Sequence, residues 1–251
     1  MLRIKRLCLI ALCIFPLWCP VNPGVKPLSL YAAQDIFLQG IFFADVLAPP
    51  APEGFSSVKD PTWKPSYTQQ ELADAVFKEA SWVFSGMIWG FTFEYTPSDK
   101  ARNIAEFFEL APRGSIKGGT GRLKVLETSI ENNALLVNLL YYPGVNEASE
   151  YIAWKQATYK VCQGQGSGPA FPPLLSIEAK DQAEARIAAM TSAAKEALRS
   201  YLRGIVYNKP RIIRGTCAFL IQPSVIVASG QYLATVRLAA SVTEIVSYGA
   251  Y

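Results

Sequence analysis

The stretch 176–206, SIEAKDQAEARIAAMTSAAKEALRSYLRGIV, constrains the fold more than any other part of the chain. Apolar side chains recur at Ala183, Ile187, Met190, Ala194, Leu198, Tyr201 and Ile205, in steps of three and four that set them on one helical face. Asp181 and Glu184 resemble a capping box, Arg199 and Arg203 suit the negative C-terminal end, and Pro210 forbids continuation. The alanines on this stripe predict a helix that lets a β-sheet approach closely, and β-rich runs follow it directly.

The other elements read from the same signals. Thr68 and Glu71 form a T-x-x-E box ahead of Leu72, Val76, Ala80, Val83 and Met87, which predicts a second amphipathic helix. Gly90 breaks it, and the alternation of Phe91, Phe93 and Tyr95 with Thr92 and Glu94 predicts a strand ending at Pro97. Ser98 caps an expected third helix with Ala101, Ile104, Ala105 and Phe108 inward and Pro112 as its stop. Residues 123–130 and 134–142 read as a hairpin around Glu131-Asn132-Asn133, and 147–161 as a helix capped by Asn146. The glycines and prolines of 163–173, QGQGSGPAFPP, read as a linker inside the folded region. Runs 211–221, 224–229 and 231–247 are β-branched strands separated by Pro223 and Ser229-Gly230.

Strands and helices do not alternate regularly, and most strand pairs are close enough in sequence for antiparallel pairing. The expected fold is therefore α+β: a mostly antiparallel sheet with amphipathic helices packed on one face. The expected organisation is a leader over 1–33, an apolar segment and proline-rich connector over 34–66, and one domain over 67–251. Residues 35–47 of the apolar segment read as a docking helix or an edge strand.

The leader carries the expectation of export. Arg3, Lys5 and Arg6 precede an apolar run from Leu7 to Trp18, too short to span a membrane and interrupted by Pro16. The small pair Ala32-Ala33 offers a cleavage point, while Cys8, Cys13 and Cys19 raise lipid attachment as an alternative. Of 24 basic and 20 acidic residues, four basic and no acidic ones fall in this leader, so the remainder is electrically balanced. That balance removes the electrostatic case for a nucleic-acid partner.

The chain contains no histidine, which excludes Ser-His-Asp and Cys-His catalysis and the common histidine-bearing zinc sites. No metal and no cofactor is expected. Ser192 and Lys195 spell S-x-x-K without the companion motifs of penicillin-binding enzymes, and Tyr151 and Lys155 spell Y-x-x-x-K without a dinucleotide fingerprint, so neither carries chemistry. Cys162 and Cys217 are a candidate disulfide for an oxidising compartment. The aromatic concentration of Trp82, Trp89, Phe91, Phe93 and Tyr95 is the candidate binding surface for an envelope partner protein or an apolar ligand. These features together predict an exported, periplasmic or envelope-associated, non-catalytic binding protein. Two alternatives stand beside it: a carboxylate-dependent hydrolase using Glu94 with a second acid such as Glu127, and a protein in peripheral contact with a membrane.

Overall fold

The computed structural model describes residues 36–47, 67–118, 121–170, 179–206 and 209–248. The expected leader, the proline-rich connector and the end of the expected linker lie outside the described residues.

A short strand, β1 (Leu38–Asp45), opens the fold as an edge strand. It is followed by α1 (Gln69–Ile88), β2 (Phe91–Thr96), β3 (Phe107–Pro112), the hairpin β4 (Leu123–Glu131) and β5 (Ala134–Tyr141), and α2 (Val145–Ala153). Then come β6 (Lys160–Ala170), α3 (Ala179–Arg203), β7 (Ile212–Phe219), β8 (Ser224–Ala228) and β9 (Gln231–Val246). The class is α+β, and every strand pairing is antiparallel.

The strands form two sheets, where one had been expected. A three-stranded sheet has the order β1-β5-β4, and a six-stranded sheet has the order β3-β2-β7-β9-β6, with β8 pairing onto β9. Helices α1 and α3 pack against strands of both sheets. On α1, Trp82 meets Phe91 and Phe219 of the large sheet at ring-centroid distances of 5.1 and 5.5 Å. Two residues on, Phe84 meets Phe42 and Tyr141 of the small sheet at 5.5 and 6.2 Å. One helix thus supplies a core face to each sheet.

Local chemistry explains where the helices begin. Thr68 Oγ1 accepts the backbone N–H of Glu71 at 3.3 Å, and Glu71 Oε2 accepts that of Thr68 at 2.7 Å, completing the expected capping box of α1. In α2 the N-terminal carboxylate is Glu147, which accepts the Gly144 N–H at 2.7 Å. That helix is shorter than expected and starts from Gly144 rather than Asn146.

Two expected elements differ. Residues 163–170 are not a linker but most of β6, paired along β9 from Lys160↔Ala240 to Ala170↔Gln231. The glycines are there because α3 lies on them. A Cβ on Gly164 would sit 2.4 Å from Ala197 N, one on Gly166 2.3 Å from Ala193 N, and one on Gly168 2.8 Å from Ala185 O. Alternate glycines on one strand face meet the alanine face of α3, so strand and helix backbones approach without side chains between them. The third expected helix is also absent. Asn103 takes a left-handed φ of 55°, Asp99 and Ile104 form an isolated bridge, and the chain returns as β3 against β2.

On α3 the buried stripe is wider than the periodicity implied. Ala185, Ala189, Ala193 and Ala197 join Ala183, Met190, Ala194 and Leu198 inside, while Ile187 and Tyr201 are half-buried and Ile205 is exposed.

Candidate functional site

An apolar groove of about 620 Å³ lies between the first half of α1 and the β4–β5 hairpin. Its floor is Val76, Val137 and Leu139, and its walls include Phe77, Ile116, Leu123, Val125 and Leu135. The groove exists because α1 packs against β1 and β5 through Phe84 and leaves the far strand β4 uncovered. The inward side of β4 is consequently half-dressed: Val125 pairs across from Leu139 and Ile130 from Leu135, yet they are 60% and 70% exposed. Ser85 Oγ on α1 accepts the Ile116 N–H at 3.0 Å and pins the loop that closes one end. Its polar lining is the exposed Lys117, Asp74, which accepts a hydrogen bond from Gln70 at 2.8 Å, and Thr128 opposite Val137. An apolar concavity with a few polar groups suits a small, largely apolar ligand.

A second arrangement is charged and buried. Arg186 of α3 has no exposed surface and donates Nε to Glu79 Oε2 of α1 at 2.7 Å. Its guanidinium lies over the Phe43 ring at 4.6 Å and the Tyr232 ring at 5.6 Å. Neither terminal nitrogen meets a hydrogen-bond acceptor among the described residues. Burial raises the Glu79 and Asp45 carboxyls above the ordinary range, and the Arg186 charge opposes the rise at both. Glu79 and Phe43 also line a cleft of about 330 Å³ with Ile41, Gln222, Pro223, Ser224 and Val225. Arg186 opposes both carboxylates, so the cluster first of all joins α1, α3 and β1 through this cation.

The residues singled out from the sequence lie elsewhere. Phe91, Phe93 and Tyr95 are core side chains, 0%, 3% and 6% exposed. Trp82 and Trp89 are half-buried against the same core, and a Cβ on Gly114 would meet the Trp89 ring at 2.5 Å, so backbone lies on that ring. The aromatic concentration therefore forms the interior between α1 and the large sheet and contributes nothing to the groove. Tyr95 borders a cleft of about 300 Å³ with Arg199, Arg203 and Lys209 at the C-terminal end of α3. Its hydroxyl donates to Glu106 at 2.9 Å, and burial together with that carboxylate pushes it up to about 12.

Glu94 stands opposite Glu109 of the adjacent strand β3 rather than across a cleft. It lies on the solvent side of β2 and accepts Arg214 Nε at 2.7 Å, while Arg214 also reaches Glu244 at 2.8 Å. Glu127 is exposed on β4 opposite Asn138. Cys162 and Cys217 are free. They sit on β6 and β7 with β9 between them, opposite Leu238 and Ala240. Two strand spacings, about 9–10 Å, exceed the reach of a disulfide, which corrects the expected pairing. Burial pushes the Cys162 thiol up to about 11 and raises Cys217 further. Lys195 is engaged by Glu106 at 3.5 Å, and Lys155 stands over the Tyr151 ring at 4.1 Å, so both motif lysines have structural partners. Among the described residues no three or more Cys, Asp or Glu side chains gather as a metal would require, and no helix is long and apolar enough to cross a membrane.

Sequence reasoning passed over Phe77, Val125 and Ile130. The available signals were a phenylalanine one position off the apolar stripe of α1 and a strand, LKVLETSIE, whose apolar residues do not keep a single alternation.

A protein-family model, whose description names no activity, matches residues 43–248. A Treponema pallidum (strain Nichols) protein titled "Uncharacterized protein" is 23% identical over 220 residues, covering 83% of this chain and 89% of that one. No solved structure matches the chain.

Proposed function

We propose that this chain, which belongs to the family matched over residues 43–248, is an exported, non-catalytic envelope protein that holds a small apolar ligand between α1 and the β4–β5 hairpin. The observation that carries the reading is the groove itself, about 620 Å³ in volume and lined mostly by aliphatic side chains and Phe77. That volume falls within the range of roughly 300–1,000 Å³ typical of small-molecule sites. Leaving such a surface in water costs about 25 cal/mol for each Å² of apolar area, a cost that an apolar occupant removes. Export is supported by the basic residues Arg3, Lys5 and Arg6 ahead of the apolar run Leu7–Trp18. Against catalysis stand the absence of histidine and the engagement of Glu94 by Arg214.

The test is titration of the purified protein with a fluorescent polyene fatty acid, in wild type and in Ala73→Trp. Ala73 is an exposed lining residue, so a tryptophan there fills the groove without entering the core. Saturable one-to-one binding that Ala73→Trp weakens by about tenfold or more fits a lost anchor surface. Equal binding by both proteins, or none by either, rejects the groove as the site.

A further inference from the structure

The two edges of the small sheet are treated differently. At β1 the free edge is closed by side chains: Gln222 bonds the N–H and C=O of Ile41 at 3.2 and 2.6 Å, and Gln182 those of Asp45 at 2.8 and 3.1 Å. β4, at the other end of the order β1-β5-β4, runs for nine residues with no strand and no such clamp on its outer edge among the described residues. Val125, Leu126 and Ile130 along it are 60%, 52% and 70% exposed. A long edge of this kind is a template for another strand.

The order of residues on β4 says which strand fits. Lys124 and Glu131 stand opposite Leu140 and Ala134 and so share the outer face, while Val125 and Ile130 stand opposite Leu139 and Leu135 and share the inner face. The register shifts between Val125 and Glu127, where the strand bulges by one residue. The bulge sets Val125 and Ile130 at equal ladder distances on either side of Thr128, and Lys124 and Glu131 one step further out. A strand with that symmetry is complementary to itself when reversed. We propose that β4 pairs antiparallel with β4 of a second copy about Thr128, joining the two small sheets edge to edge. Each Lys124 then faces Glu131 of the second copy on the outer face, and each Val125 faces Ile130 of the second copy on the inner face. A lysine and a bulge on an edge strand usually discourage pairing; here the lysine meets an opposite charge and the bulge creates the match. The pairing uses the edge of β4 and leaves the floor of the groove untouched, and the charged positions that test it, Lys124 and Glu131, do not line the groove.

Analytical ultracentrifugation of the full purified chain tests this with charge reversal. Wild type is expected to dimerise with concentration. Lys124→Glu alone and Glu131→Lys alone each turn two attractive cross-strand pairs into repulsive ones and weaken the dimer by about tenfold or more. An equimolar mixture of the two variants places unlike charges opposite at both ends, and it restores association to within about threefold of wild type, given pair energies of this size. Both positions are exposed, so folding is retained, and the mixture controls for it internally. Ala73→Trp leaves the dimer unchanged. A wild type that stays monomeric at every concentration, single variants that dimerise like wild type, or a mixture that fails to associate would each overturn the proposal.

Discussion

Gln182 of α3 holds Asp45 of β1 by both backbone groups, accepting its N–H at 2.8 Å and donating to its C=O at 3.1 Å. One amide side chain here does the work of a neighbouring strand, and it ties the small sheet to the helix that organises the large one. Gln182 is itself buried. Gln182→Leu leaves two backbone groups without partners and lowers unfolding stability by about 2 kcal/mol, read from urea denaturation. Gln222→Leu, which releases Ile41 at a solvent-exposed site, costs less than about 1 kcal/mol by the same measurement. Equal losses at the two positions contradict the view that burial sets the cost.

The contact of Gly166 with α3 predicts a steep penalty for a single methyl group. A Cβ at that position lies 2.3 Å from Ala193 N, and the nearest atoms are backbone, which cannot rotate away. Gly166→Ala should cost about 3 kcal/mol, the upper part of the usual overpacking range. Gln165→Ala, exposed on the other face of β6, should leave the unfolding midpoint where it is. A neutral Gly166→Ala would show that α3 does not seat on β6 this closely.

Removing the cation from the buried pair exposes its pH dependence. Arg186→Met leaves Glu79 buried without its partner and should cost about 3–5 kcal/mol at neutral pH. Glu79 and Asp45 have folded-state pKa values above 4.5 and 3.8, so the folded protein holds their protons more tightly than the unfolded chain. Their contribution is present below those unfolded values and is lost as pH rises through the folded ones. Arg186 limits that loss. The deficit of Arg186→Met should therefore shrink on moving from neutral to mildly acidic pH, and a deficit that grows on acidification would contradict the assignment.

At the alkaline end Cys162 sets a separate window. Burial moves its thiol from 9.0 to about 11, so the folded state favours the protonated form and stability falls as pH rises between those values. Tyr95 follows between 10.0 and about 12. Cys217 is raised further from the same starting value, so Cys162→Ala should lessen the first part of this decline without abolishing it and leave the later part, as measured by denaturation midpoints across the alkaline range. An unchanged profile would mean that the thiol is no more buried when folded than when unfolded.

How much of this was legible in the sequence depended on whether the cause was local. The capping box at Thr68 and Glu71, the stripe of α1, the hairpin turn at Asn132-Asn133 with φ of 50° and 64°, and the strands after Pro210 were all readable. Each is decided by residues within one or two turns of itself. The same local reading failed at 98–112, where Ala101 to Phe108 kept a helical spacing that the left-handed Asn103 and the pairing of β3 with β2 overrode. It could not place the aromatic run either, because such a run looks alike whether it faces water or a sheet.

What the sequence by itself determined was the long alanine-bearing helix, the α+β class and the balanced charge outside residues 1–33. These follow from periodicity and composition, which need no knowledge of distant neighbours. Only the tertiary structure decided that Gly164, Gly166 and Gly168 are strand rather than linker, since the reason for them is the backbone of α3 at Ala193 and Ala197. It alone decided that Trp82 and Phe84 serve two different sheets, that β9 separates Cys162 from Cys217, and that β4 is left uncovered beside Phe77. Close approach, burial and the gaps between elements belong to pairs of segments far apart in the chain, and no window along one of them contains the other.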